Sequence, residues 1–293
     1  MIEWRDMPAF SGSVPVNDIE PRVSGHQAVP CLIADIRDAL SKAGVDPDAP
    51  GLDDLKPVDH FHTGGAPATE ALLKQLDITA RTRVLDIGCG IGGVARLVAQ
   101  KAGAHVTGLD VSAEFTQTAD TLSRMTGLSD KTTFHTGDAL AMAVDDESFD
   151  LALMFHVGMT IEDKNRLFAE VARVLAPGGT FALFDVMRTS QRALTFPLPW
   201  AETRETAFVD RPWVYRNAAR DAGLDWVGTR DRTEPAKAAF NRAFETNRRI
   251  GAPPPVGPHL LMRGKAETKV SHYLSHVYAC DIAPVEMIFR KPA

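Results

Sequence analysis

At 293 residues the chain is long enough to bury one large core or two modest ones, since domains run to roughly 100–200 residues. Its 44% hydrophobic and 24% charged residues match ordinary globular usage, which excludes a disordered or fibrous chain, and a formal net charge of −6 leaves no basic footprint for nucleic acid. Three cysteines, Cys31, Cys89 and Cys280, odd in number and far apart, fit neither a disulfide framework nor a zinc site, so a reducing compartment is expected.

The start, MIEWRDMPAF, has an acid and a tryptophan where a secretory signal needs a basic region and an apolar run. No segment supplies the roughly 20 uninterrupted apolar residues of a membrane span, so a soluble, cytoplasmic protein is expected. Residues 1 to about 27, rich in Pro, Ser, Gly and Asn, read as an arm or loose cover. AVPCLIADIRDALSKAGV then sets Leu32, Ile33, Ile36, Ala39 and Leu40 on one side, a helical spacing that Gly44 ends. DPDAPGLDDLKP is a turn-rich, acidic connector. It leads into HFHTGGAPATEALL, where His60, His62 and a glycine pair precede a helix from Pro67. The histidines lack a further ligand cluster, and the glycines lack both a preceding strand and the lysine of a phosphate loop, so the stretch is read as a lid.

From Thr82 strands alternate with helices. RVLDIG, HVTGLD, KTTFHTGDAL, FDLALMF and TFALFDV are predicted strands, separated by the predicted helices GVARLVAQKAG, SAEFTQTADTLSRMTGL and EDKNRLFAEVARVLAPGG. Such alternation predicts βαβ units in a mostly parallel, doubly wound α/β sheet with helices on both faces. After Arg188 it loosens into a long connection, then a helix at VYRNAARDAGL and a strand at DWVGTRDRT. A mixed segment from about Glu234 includes GAPPPVGP and a helical AETKVSHYLSHVYACDI, and PVEMIFRKP is the closing strand. The chain thus divides into an N-terminal arm and lid over 1–66 and one domain over 67–293, with cap insertions at about 189–215 and 234–279, after the fifth and sixth strands.

VLDIGCGIGG places Asp86, Gly88, Gly90 and Gly93 on a strand-to-helix turn, where glycine permits tight turning and close approach of a ligand to backbone. A dinucleotide fingerprint has similar glycines, with an acid about 20 residues on, here Asp110. Asp86, however, points an acid into the crevice that a pyrophosphate would occupy. A carboxylate there suits a cationic, amine-bearing ligand such as S-adenosylmethionine, which carries an ammonium and a sulfonium and no phosphate. Asp110 can accept both ribose hydroxyls, and Asp138, ending the third strand, can accept from an adenine amino group.

The run from VLDIGCGIGG through GLDVS, GDAL, SFDLAL and RVLAPGG resembles class I SAM-dependent methyltransferases, from about Arg81 to Val186. The resemblance implies a Rossmann-like, seven-stranded sheet with an antiparallel last strand. Carried over by position, Asp86, Gly88 and Gly90 would cradle the methionyl part, Asp110 the ribose, Val111 the adenine face, and Asp138 with Ala139 the adenine edge. Phe155, closing the fourth strand, joins these donor contacts. FHTGGAPATEALLKQLDI, HVGMTIEDK and FPLPWA resemble the small-molecule branch, which includes sarcosine/dimethylglycine, phosphoethanolamine and ubiquinone/menaquinone-type enzymes. The phosphobase enzymes have a histidine a few residues into the loop after the fourth strand. Here Met159 and Thr160 stand there and His156 comes earlier, so that catalytic arrangement does not transfer intact.

Methyl transfer from a sulfonium needs alignment and exclusion of water, and a base only where the acceptor must lose a proton. His156 is the candidate catalytic base or hydrogen-bond partner, with Phe61, Met159 and Trp200 as further acceptor contacts. Trp213 and Tyr215 could extend Trp200 into an aromatic wall that attracts cations. His62 and Thr63 could bond the donor's carboxylate. His272 and His276, one turn apart, lack the third ligand of a metal site, and no metal is expected. The expected activity is methyl transfer to the nitrogen of a small amine or amino-acid derivative, leaving S-adenosylhomocysteine. The alternatives are O- or C-methylation of a phenol or quinone with His156 as base, or a non-catalytic SAM-binding protein. The expected partner is a small-molecule acceptor, with no nucleic acid and no membrane, in a monomer or homodimer.

Overall fold

A computed structural model describes residues 32–251, 253–262 and 264–293, so the arm expected over residues 1 to about 27 lies outside the described residues. The alternation beginning at Thr82 forms strands β1 (Arg83–Ile87), β2 (His105–Asp110), β3 (Thr132–Thr136), β4 (Phe149–Phe155), β5 (Leu175–Arg188), β6 (Asp225–Asp231) and β7 (Ile282–Arg290). They make one seven-stranded sheet in the order β3-β2-β1-β4-β5-β7-β6. β1 to β5 run parallel, and β7 is antiparallel to both β5 and β6. The strand order reverses between β1 and β4, and a crevice opens at the carboxyl ends of strands on either side of such a reversal.

Helices cover both faces. On one, α3 (Gly65–Leu73) and α4 (Gly93–Ala102) bury Leu72, Ala95 and Val98 against Val84, Leu153, Phe155 and Phe184. On the other, α6 (Lys164–Val174) and α7 (Pro212–Asp221) pack Phe168, Val171, Tyr215 and Ala218 against Phe181, Leu183 and Phe289. Each fully buried aliphatic or phenyl side chain contributes roughly 1.5–3 kcal/mol. α5 (Ala113–Met125) follows β2 and is capped by Ser112, whose side chain accepts from the Phe115 N–H.

Several boundaries differ from the sequence reading. The acidic connector contains α2 (Leu52–Asp59), because Leu55 and Val58, three residues apart, are both fully buried against α1 (Leu32–Lys42). β5 begins at Leu175, so LAPGG starts the strand and does not extend α6. The mixed segment resolves into α8 (Thr233–Ile250), α9 (His259–Met262) and α10 (Ala266–Tyr278). The connection after β5 gives way to α7 at Pro212, a proline suited to a helix start. That connection and α10 meet in one apolar cluster, where Leu198 and Val209 pack with Met159, Tyr273, Leu274 and Val277. Among the described residues, no helix is long and apolar enough to cross a membrane.

A buried ion pair ties α2 to α4. Arg96, fully buried on α4, places Nη2 2.5 Å from Asp59 Oδ1 at the end of α2, and its Nη1 donates to the carbonyls of Ile91 and Ala119. Gly93 permits the approach, since a Cβ there would collide with the Asp59 backbone. Burial outweighs the attraction of Arg96 and pushes the Asp59 carboxyl up to about 6. Arg96→Met leaves Asp59 buried without its partner, so urea unfolding should show a loss of about 3–5 kcal/mol. Adding Asp59→Leu is expected to recover part of it.

Candidate active site

β1 ends in the glycine turn. Gly88 and Gly90 adopt φ of +69° and +53°, a left-handed region that favours glycine, and a Cβ on Gly88 would overlap Val157 in the loop after β4. The N–H groups of Gly88 and Cys89 donate to the Leu109 carbonyl, which anchors the turn to β2. Asp86 is 1% exposed and its Oδ2 has no hydrogen-bond partner among the described residues. Burial, reinforced by the nearby Asp110, pushes its carboxyl up to about 7 against the pull of the Ala95 N–H. A buried polar atom left unpaired is uncommon and calls for an explanation, which a ligand's donor supplies.

Asp110 ends β2 and organises the turn. Its Oδ2 accepts from the Gly90 N–H and its Oδ1 from the Ser112 N–H, both at 2.9 Å. Burial raises its pKa while those two bonds oppose the rise. Each oxygen keeps a second lone pair, enough for a diol. Val111, half-buried, follows it. Asp138, just beyond β3, accepts from the Leu140 N–H at 2.8 Å, and Ala139 beside it is buried.

The segment expected as a lid brings the His62 ring beside Phe155, His156 and Phe184 at this end of the sheet. His62 engages both ring nitrogens, with Nε2 2.8 Å from Thr69 Oγ1 on α3 and Nδ1 3.3 Å from the Thr63 carbonyl oxygen. Thr63 Oγ1 lies 2.6 Å from the Tyr273 hydroxyl, joining the lid to α10. The structure therefore commits His62 and Thr63 to lid and cap, and the bond to a donor carboxylate expected from the sequence would compete with these. Phe61, half-buried, sits between His60 and His62. Gly64 and Gly65, at φ +81° and +56°, turn the chain into α3.

His156 follows β4 directly and its N–H donates to the Phe184 carbonyl at 2.7 Å. It holds a left-handed φ of +54°, rare for a residue with a side chain. Its ring lies 4.9 Å from Phe184 and 5.7 Å from His62, and Phe155 lies 5.1 Å from His62, centroid to centroid. His156 Nε2 is buried without a partner among the described residues. Burial first, then the neighbouring His62, lowers its pKa well below the usual histidine value.

Met159 is buried in the cap cluster, which Trp200 packs against, and the Trp200 ring is 5.9 Å from that of Tyr273. Trp200 Nε1 is also buried with no partner among the described residues. The aromatic wall does not extend further. Trp213 is 59% exposed, and Tyr215 turns into the opposite core, where its hydroxyl donates to Asp185 at 2.7 Å. The helical phase of α7 sends these neighbours to different sides. His276 bonds Asp281 and accepts from the Thr195 N–H, while His272 bonds the Pro197 carbonyl, so the pair fastens the connection after β5. Among the described residues, no cluster of three or more His, Cys, Asp or Glu side chains is placed to hold a metal.

Sequence reasoning missed Asp185. It is fully buried on β5, accepts from Tyr215 and from the Val186 N–H, and is pushed up to about 7 chiefly by burial. Gly158 lies so close that a Cβ would collide with its carboxylate, which fixes the turn carrying Met159. The glycine at 158 was the available signal.

Residues 85–183 match the family described as a methyltransferase domain. Methyltransferase GfsG of Streptomyces halstedii is 36% identical over 134 residues, 46% of this chain and 48% of that protein. Phosphoethanolamine N-methyltransferase 1 of Arabidopsis thaliana is 30% identical over 183 residues, 62% of this chain and 37% of that protein. The chain thus spans about half or less of the length of these relatives. Phosphoethanolamine N-methyltransferase 2 of Haemonchus contortus, solved in complex with S-adenosyl-L-methionine, has the same fold, with a TM-score of 0.67 at 19% identity over 96% of this chain and 61% of that one.

The bond between Thr63 and Tyr273 is a direct polar tie between the HFHTGG segment and α10. Its net worth is about 1 kcal/mol. In Tyr273→Phe, amide hydrogens of residues 61–66 should therefore exchange about fivefold faster, and unchanged exchange would show that the lid is held by packing alone.

Proposed function

We propose, from the premise that residues 85–183 form a methyltransferase domain of the class I fold, that the protein transfers the methyl group of S-adenosylmethionine to a small-molecule acceptor. The acceptor atom in this reading is the nitrogen of a small amine or amino-acid derivative, and the product of the donor is S-adenosylhomocysteine. One observation carries the reading: the buried Asp86 carboxylate, whose Oδ2 has no partner among the described residues, beside the left-handed Gly88 and Gly90. An anionic cofactor would meet repulsion there, and a donor bearing an ammonium completes the missing bond.

When bound, the sulfonium supplies an already activated methyl group, and positioning alone can provide effective molarities of about 10⁵–10⁸ M. In this reading Asp86 with the glycine turn holds the methionyl part and Asp110 accepts from the ribose hydroxyls. Val111 faces the adenine, Asp138 and Ala139 meet its edge, and Phe155 closes the strand end. His62 and Thr63, through their bonds to Thr69 and Tyr273, keep the lid down and water out. Phe61, His156, Met159 and Trp200 line the acceptor side. His156, its pKa strongly depressed, is a weak base at neutral pH, which favours an acceptor that attacks through its own lone pair. The unpartnered His156 Nε2 supports a second reading, oxygen or carbon methylation with that nitrogen as proton acceptor.

Two outcomes test the proposal. Asp86, pushed up to about 7, is partly protonated at neutral pH, and an ammonium beside it favours the ionised form. Donor affinity should therefore rise as pH climbs through about 7, with up to about one proton released per donor bound below that pH. Calorimetric titration with S-adenosylmethionine from about pH 6 to 8, in buffers of different ionisation enthalpy, measures both; no binding at any pH sinks the reading. His156→Ala separates the acceptors in a labelled-methyl assay. An amine reaction should lose mainly acceptor affinity, whereas a reaction needing proton removal should lose about 10²–10⁴-fold in kcat.

A further inference from the structure

A hydrogen-bonded chain of fixed proton order runs under the lid. Thr69, fully buried on α3, meets two imidazoles with one hydroxyl: Oγ1 lies 2.8 Å from His62 Nε2 and 3.0 Å from His60 Nδ1. The other nitrogen of His62, Nδ1, faces the Thr63 carbonyl oxygen. A carbonyl only accepts, so His62 Nδ1 carries the hydrogen. Burial lowers the His62 pKa to about 4, so the ring is neutral and its bare Nε2 accepts from Thr69. A hydroxyl has one hydrogen. With that hydrogen committed to His62, Thr69 Oγ1 accepts from His60, whose Nδ1 must carry its own hydrogen. His60 is neutral as well, lowered to about 3 by burial and by His62, Arg96 and Lys56 nearby. The order runs from His60 Nδ1–H to Thr69, from Thr69 O–H to His62 Nε2, and from His62 Nδ1–H to the Thr63 carbonyl.

We infer that Thr69 is a positioning residue for the acceptor site, which fixes the orientation of His62, whose tautomer the Thr63 carbonyl sets, and thereby the aromatic wall formed by His62, Phe155, His156 and Phe184. This rests on the methyl-transfer reading above. An imidazole with both nitrogens committed cannot turn. His62 therefore presents its ring to Phe155 at 5.1 Å, His156 at 5.7 Å and Phe184 at 5.9 Å, with no nitrogen directed at any of them. The consequence falls on His156. A His62 free to rotate could offer a nitrogen to its neighbour and engage the Nε2 that the structure leaves unpaired. Thr69 keeps that nitrogen available to an acceptor. The threonine methyl alone could fill the same space, so the operative group is the hydroxyl.

Nitrogen NMR of the ¹⁵N-histidine-labelled protein at neutral pH reads the tautomers without any turnover. Both His60 and His62 are expected as neutral Nδ1–H forms in the wild type and in Thr69→Ser; in Thr69→Val His60 should lose that preference, while the Thr63 carbonyl keeps that of His62. Finding either histidine protonated, or as the Nε2–H form, in the wild type overturns the chain. In the labelled-methyl assay, Thr69→Val should lower kcat by about ten- to a hundredfold, and Thr69→Ser should restore it to within about threefold of wild type. Equal losses in Val and Ser, or full activity in Val, overturn the positioning role. Failure of the wild type to bind S-adenosylmethionine counts instead against the methyl-transfer reading, and the NMR result then decides the chain by itself.

Discussion

The contact between Arg96 and Asp59 is the constraint on which the rest of the site depends. One guanidinium reaches three elements at once: the end of α2, the carbonyl of Ile91 in the donor turn, and the carbonyl of Ala119 on α5. Only a planar group with several fixed donors can do this, and lysine would not replace it. Removing two charges from water is costly, so the pair adds little net stability. Its contribution is placement. The HFHTGG segment begins at the residue after Asp59, and the start of α4 lies against the Asp59 backbone, so that segment and the glycine turn share an origin. Gly93, by lacking a side chain, lets the two backbones meet.

Burial sets the electrostatics of the whole site in one direction, toward neutrality. Asp86 and Asp185 are both pushed up to about 7, and His60, His62 and His156 are all lowered. In so dry a surrounding, each polar group that a ligand meets acts through a poorly screened field. The two acids differ in their partners. Asp185 accepts from Tyr215 and from backbone, which suits a structural strut under the turn at Gly158. Asp86, near the end of β1, keeps one oxygen without a partner among the described residues.

Much of this was legible in the sequence because the central sheet imposes strong local rules. Strand and helix periods alternate cleanly from Arg83 to Arg188, and the glycine turn with acids at successive strand ends marks the crevice. The cap was less legible. Its helices are interrupted by GAPPPVGP, and their apolar faces meet partners distant in sequence: α8 and α10 pack on residues such as Met159 and Leu198, and α9 on α1 and α2. α2 was hidden because its inward face is only Leu55 and Val58, in a segment of acids and prolines. Asp185 was hidden inside an apolar strand, with its partner thirty residues away. Thr69 reads in sequence as an unremarkable helical threonine, and its two histidine partners become visible only when the lid folds back on α3.

The backbone at His156 has a consequence of its own. A left-handed conformation costs a residue with a Cβ roughly 1–2 kcal/mol, a penalty glycine would avoid. The chain accepts that strain at the first residue beyond β4, where a turn must be made and a glycine, Gly158, stands only two positions on. In the methyl-transfer reading proposed above, local stability and the imidazole therefore make opposite demands on position 156. Variants selected for thermal resistance alone should drift there toward glycine or asparagine, and those selected for turnover should not. A library sorted under the two regimes would separate what the fold wants at this position from what the chemistry wants.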